Sequence, residues 1–183
     1  MYRKTFEDMN CSIARALDQI GEWWSLLIVR ECTLGTARFD DFQRRLGIAR
    51  NVLTSRLNHL VERGILEKKP LAESARFFQY QLTPKGEALY PVLIALLQWG
   101  DRWAETGRGP PLRLVEKKTG KLVDPVCVRA KGGRALSMRE VRLEAGPGAS
   151  DGTRATIARR NSAILGGEAA SRKKKSSRRA RAH

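Results

Sequence analysis

Between Gly47 and Arg63 the chain carries a row of hydrogen-bonding side chains, Arg50, Asn51, Thr54, Ser55, Asn58 and His59, at spacings a helix gathers onto one side. The chemistry open to such a row is recognition. A guanidinium presents paired donors that fit guanine O6 and N7, and a carboxamide presents the donor and acceptor that fit adenine. An ordinary solvated helix face is the plain alternative. Arg56 stands beside Leu57, where it either clamps a phosphate or closes an internal salt bridge; His59 is expected to be exposed. Groups suited to bond-making are scarce. Of the two histidines one lies in this row and the other is the last residue. No Ser-His-Asp set, phosphate-cradling loop or carboxylate pair in an apolar setting occurs, so an enzyme is not expected.

The row needs an element to hold it. Leu53, Leu57, Leu60 and Val61 fall at i, i+4, i+7 and i+8, one apolar stripe along a helix from about Arg50 to Glu62. Before it, Ile13, Ala16, Leu17 and Ile20 mark a first helix ending at Gly21. Trp24, Leu27, Ile28 and Cys32, flanked by Leu26 and Val29, mark a second, largely buried helix closed by Gly35. Phe39, Phe42 and Leu46 point inward from a short third helix, with Asp40, Asp41, Arg44 and Arg45 outward and Gly47 as its stop. After it, Ile65–Lys69 and Phe77–Leu82 alternate like two strands joined by the polar segment Leu71–Arg76. Thr83-Pro84 then starts a single long helix, Thr as N-cap and Pro at the first helical position. Its residues Leu89, Val92, Leu93, Leu96, Leu97, Trp99 and Trp103 exceed what one buried face needs, which predicts a second subunit against it.

The order helix, helix, short helix, polar helix, hairpin, long helix is that of a winged helix-turn-helix. The expected class is therefore mainly α with a small β-hairpin wing. In that arrangement the polar helix enters the major groove and the wing touches the backbone or minor groove. Arg76 in the wing and Arg38 at the start of the third helix join the DNA-contact candidates, with Lys68 and Lys69 behind them.

Beyond Gly107 the character changes. Residues 107–111 read as a linker after a domain over 1–106. Short apolar pieces within 112–148 suggest a small β-rich appendage, and 149–183 reads as a disordered basic tail, too poor in apolar residues to fold alone. The net charge is +16, and half of that excess lies in residues 151–183. Such a balance suits a polyanionic partner, double-stranded DNA above all, because each neutralised phosphate releases counterions. No apolar run is long enough to span a membrane, and the N-terminus lacks the apolar segment of a signal peptide. A cytoplasmic, nucleoid-associated protein is expected. Cys11, Cys32 and Cys127 are odd in number and widely spaced, which speaks for a reducing compartment and against a disulfide framework.

The sequence resembles the HxlR-type transcriptional regulators, winged helix-turn-helix proteins of the MarR-like superfamily, from about Cys11 to Gly100. Cys11-Ser12-Ile13-Ala14-Arg15-Ala16-Leu17, Ile20-Gly21-Glu22-Trp23-Trp24, Arg38-Phe39-Asp40-Asp41-Phe42, Ile48–Leu57 and Leu82-Thr83-Pro84-Lys85-Gly86 carry the likeness. The resemblance implies a homodimer, formed through the first and last helices of 1–106, that represses or activates transcription at an imperfect palindrome. It also makes Cys11 a candidate redox sensor and leaves room for a small-molecule or redox effector; Arg15, one turn on, would favour the thiolate. The plainer reading of Cys11 is a small packed residue, and Cys32 is expected in the core. Where the family usually has Ser, this chain has Ala49, so the polar helix lacks its capping hydroxyl, a loss of about 1 kcal/mol.

Some relatives carry Cys-Gly and Cys-x-x-Cys-Gly in the extension, a tetrahedral zinc set. Here Thr119-Gly120 and Arg129-Ala130-Lys131-Gly132-Gly133 stand in those places, so no metal or other cofactor is expected. Two rival functions remain: a sequence-independent architectural DNA binder driven by the tail, and a sensor acting through Cys11.

Overall fold

Leu53, Leu57 and Leu60 are wholly buried, and the arrangement of the other elements follows from covering them. The computed structural model describes residues 6, 8–71, 78–104 and 107–163. Its elements are α1 (Ser12–Ile20), α2 (Trp23–Thr33), α3 (Phe39–Leu46), α4 (Arg50–Glu62), β1 (Leu66–Pro70), β2 (Phe78–Leu82), α5 (Pro84–Glu87) and α6 (Tyr90–Trp103). Ile28 and Val29 of α2, Phe42 of α3, Ile65, Leu66 and Tyr80 complete one core with the three leucines. Each large apolar side chain buried there contributes roughly 1.5–3 kcal/mol. This is a winged helix-turn-helix, mainly helical with a two-stranded antiparallel wing.

The turn between α3 and α4 depends on Gly47, which caps α3 at φ 62° and returns its N–H to Gln43 O at 3.0 Å. That left-handed geometry is open to Gly at little cost. Buried Ile48 then anchors the chain, and α4 begins after Ala49, which supplies no capping side chain.

In the wing Leu66 pairs with Leu82, Lys68 with Tyr80 and Pro70 with Phe78. A third extended stretch lies along β2: Tyr80 N–H donates to Ala37 O at 2.8 Å, and Arg38 bridges Gln79. Thr83 fixes the exit from the wing. Its Oγ1 accepts from Gly86 N–H at 3.2 Å and donates to Gly64 O at 2.6 Å. Gly86 is buried, and a Cβ there would run into the carbonyl oxygen of Ile65.

Several expectations change. The single helix after Thr83 is two, because Pro91 has no N–H to continue the ladder across Ala88-Leu89. In α2 the wholly buried positions include Ser25 and Glu31, while Leu27 is only half-buried. Glu31 takes hydrogen bonds from Arg30 at 2.6 Å, from Thr36 Oγ1 at 3.1 Å and from Arg45 Nε, tying α2 to α3. Burial pushes its carboxyl pKa up, but the donors from Arg45, Arg30 and Thr36 outweigh that and hold it below the ordinary 4.5.

The chain divides into two compact units between Val126 and Cys127, so residues 112–126 go with the helical unit. Pairing in the stretch expected to be β-rich is confined to the single bridges Val115↔Leu122 and Arg129↔Ala135. The expectation of a disordered tail from 149 fails over 151–163, which is helical. Local capping and side-chain bonds replace apolar burial there. Ser150 Oγ accepts from Thr153 N–H at 3.2 Å, and Asn161 brackets Leu143, accepting its N–H at 3.2 Å and donating to its carbonyl at 2.7 Å. Residues 164–183 lie outside the described residues.

Candidate nucleic-acid interface

Burial of Leu53, Leu57 and Leu60 turns the opposite side of α4 outward, and Arg50, Asn51, Thr54, Ser55 and Asn58 are all exposed there. Arg50, Asn51, Thr54 and Ser55 border one open hollow. Thr54 Oγ1 donates to Arg50 O at 2.8 Å, which orders that side chain along the helix. Arg50 leans back toward α3, its guanidinium carbon 4.9 Å from the centre of the Phe39 ring. Arg38, on the extended stretch before α3, is exposed near the same end of α4.

The other candidates separate from this row. Arg56 is half-buried and pairs with Glu22 at 3.5 Å, so of its two readings the geometry favours the internal salt bridge. His59 is also half-buried, with its Nε2 3.1 Å from Gln19 O, contrary to the expected exposure. Both turn from the outward face because they flank the leucine stripe, where α1 and the start of α2 pack. Arg76 lies outside the described residues. Lys69 pairs with Glu67 at 2.5 Å and reaches Gln81 at 3.3 Å. Lys68 points the other way, its Nζ 4.2 Å from the centre of the Phe78 ring. The alternation of a strand separates the two lysines, a distinction already available in the sequence.

Cys11 is half-buried at the N-terminal end of α1, and Arg15 donates to Ser12 Oγ at 2.8 Å. Cys32 is half-buried against the core, and burial, reinforced by the neighbouring Glu31, pushes its thiol up to about 12. That thiol stays protonated and unreactive. Cys127 is exposed. Thr119 donates to Glu116 Oε2 at 2.5 Å. Among the described residues no three His, Cys, Asp or Glu side chains come together as a ligand set. No helix among them is long and apolar enough to cross a membrane.

Residues 19–108 match the family model of the HxlR-like helix-turn-helix. The chain is 39% identical over 137 residues to the uncharacterized HTH-type transcriptional regulator MT3179 of Mycobacterium tuberculosis, covering 75% of this chain and 87% of that one. Among solved structures it resembles PA1607, described as a candidate transcription factor. That likeness has a TM-score of 0.72 at 40% identity and covers 78% of this chain and all of the other. A second, PA1374 of Pseudomonas aeruginosa, has a TM-score of 0.56 at 41% identity over 80% of this chain and 99% of its own. The family is one of helix-turn-helix proteins, and these relatives carry the names of transcriptional regulators or transcription factors. A winged helix-turn-helix with an outward polar α4, a family match across that domain and relatives of this similarity lead to one identification: the chain belongs to the HxlR-like helix-turn-helix family of transcriptional regulators.

Proposed function

We propose that the protein is a sequence-specific regulator that binds a pseudo-palindromic duplex site as a homodimer, with α4 in the major groove. The observation that carries this reading is the division of α4: Leu53, Leu57 and Leu60 are at 0% exposure while Asn51, Thr54, Ser55 and Asn58 face solvent. A helix clamped by its leucines presents those polar groups at little further entropic cost, which base reading requires. Asn51, in the first turn, supplies the carboxamide suited to adenine. Selection of duplexes from a random library by the full-length chain tests the reading. A conserved inverted repeat is expected, and Asn51→Ala should relax selection at one position of each half. A library returned without enrichment would refute it.

The dimer rests on uncovered apolar surface. Ile13 and Leu17 on α1 and Val92, Leu96, Trp99 and Trp103 on α6 are all exposed, Ile13 and Trp103 by 71% and 65%. Burying such groups against a second copy offsets a large solvation cost. Trp99→Glu with Leu96→Glu should yield a monomer by light scattering and weaken DNA binding together with dimerisation. A hollow of about 420 Å³ between α2 and α6, lined by Leu26, Leu27, Leu93, Leu97 and Tyr90, is where a small apolar effector would act on the same helix.

A further inference from the structure

Beside the outward row of α4, where α3, α4 and the wing meet, Arg38, Asp40, Arg50 and Lys68 surround a hollow of about 200 Å³ floored by Phe39 and Phe78. Each ring has its own cation: Arg50 stacks on Phe39 at 4.9 Å and Lys68 on Phe78 at 4.2 Å. These contacts hold the positive groups in place without neutralising them. Arg38 is delivered by the extended pairing of its own backbone with Gln79. Arg50 and Lys68 therefore bring two positive groups into a small space that Arg38 and the Asp40 carboxylate also line, an arrangement that attracts an entering anion.

We infer that this hollow seats one backbone phosphate of duplex DNA, and that Arg50 serves it rather than a base edge. The inference rests on the reading of α4 as a groove-binding helix, and it assigns a contact that the polar row alone does not. Arg50 borders both this hollow and the open one formed with Asn51, Thr54 and Ser55. A phosphate held here lies beside the helix end that would face the bases. The first turn of α4 has no capping side chain at Ala49, so its N–H groups add to the positive potential at that end. Asp40 offsets part of the charge in the free protein and opposes the bound phosphate.

The experiment uses the full-length chain, a duplex it selects from a random library, and a random-sequence duplex of equal length, with affinities taken from about 50 to 200 mM salt. Arg50→Ala and Lys68→Ala should each weaken both duplexes by the same factor, about tenfold. They should also flatten the log K against log salt slope by about 1.8, one contact of about 0.9 lost in each protomer of the dimer, while leaving the selected-to-random ratio unchanged. Asp40→Asn should tighten both duplexes, and Lys69→Ala, on the other side of the strand, should change neither slope nor ratio. Arg50 and Lys68 are exposed, and unchanged melting temperatures will show that the variants fold.

A fall in the ratio with an unchanged slope for Arg50→Ala would make it a base reader and overturn the phosphate seat. Indifference of both duplexes to Lys68→Ala would overturn it equally. If Asn51→Ala leaves the ratio intact while Arg50→Ala and Lys68→Ala flatten the slope, the seat stands and base reading by α4 falls. A wild-type chain that binds neither duplex overturns both.

Discussion

In the helical unit Phe42, Leu53, Leu57 and Leu60 have no exposed surface, whereas in residues 127–163 the best-covered side chains, among them Leu136, Val141 and Ile157, are only half-buried. The second region is organised by polar clasps instead. Arg160 donates to Val141 O at 3.1 Å, Asn161 brackets Leu143, and Ser137 and Glu140 form a capping box. The carboxyl of Glu140, taking the N–H of Ser137, Arg134 and the hydroxyl of Ser137, is held down at about 2. Dry apolar packing is cooperative and resists change; exposed hydrogen bonds exchange readily with water and contribute about 0.5–1.5 kcal/mol each. The outward polar row of α4 stands on the packed region, held by Leu53, Leu57 and Leu60.

The sharpest way to break this comparison is to cut equal volumes from the two regions. Leu57→Ala should cost the helical unit about 2–5 kcal/mol by urea denaturation, the lost transfer energy plus a cavity among neighbours that cannot collapse. Ile157→Ala should cost less than about 1 kcal/mol, because that side chain is already half in water. Similar losses at both sites would mean that the second region hides a core of its own.

The next largest effect concerns Glu31. Glu31→Gln should destabilise by about 1.5–3 kcal/mol at neutral pH, since the charge-assisted bonds from Arg45 and Arg30 weaken at a position only 2% exposed. Its folded pKa is depressed, so its contribution is fully present above the ordinary 4.5 and is lost as pH falls through the lower folded value. Denaturation followed from pH 6 downward should therefore show a steeper acid loss in the wild type than in the variant. Parallel curves would remove Glu31 as the cause.

These two sites also divide what the sequence disclosed from what it concealed. The stripe Leu53, Leu57, Leu60 was legible because helical period and burial are the same fact seen twice, and the wing followed from alternation bounded by Gly64 and Thr83-Pro84. Glu31 was not, because its partner Arg45 lies 14 residues on and meets it only after α3 docks on α2. Arg56 and His59 sat at the edge of the stripe, where a rotation of a few tens of degrees decides between solvent and the neighbouring helix. The candidate site was legible as a row of residue types. Its grouping with Lys68 and Phe39 depends on the third extended stretch at Arg38, which carries no pattern of its own. The helix over 151–163 escaped because its partners, the backbone at Leu143 and Val141, leave no periodic trace.

A smaller effect sharpens the contrast inside α4. Ala49→Ser should raise stability by about 1 kcal/mol, seen as a higher melting temperature, because a hydroxyl at the N-cap satisfies a first-turn N–H that Ala49 leaves open. An unchanged melting temperature would show that water or a neighbouring group already serves that N–H.

The smallest global effect is expected from Asn161→Ala, and that smallness is its value. The carboxamide bonds the backbone N–H and carbonyl of Leu143, and among the described residues from 127 on no side chain is wholly buried. Losing it should release the helix over 151–163 from its clasp while the unfolding free energy of the helical unit, from urea denaturation, moves by less than about 0.5 kcal/mol. Amide hydrogen exchange separates the two responses, since local opening and global unfolding protect different sets of N–H groups. Protection within 151–163 should fall, and protection at Leu53, Leu57 and Leu60 should stay at its wild-type value. A drop at those leucines would mean that the polar clasp supports the core, and the distinction between a packed unit and a clasped one would be lost.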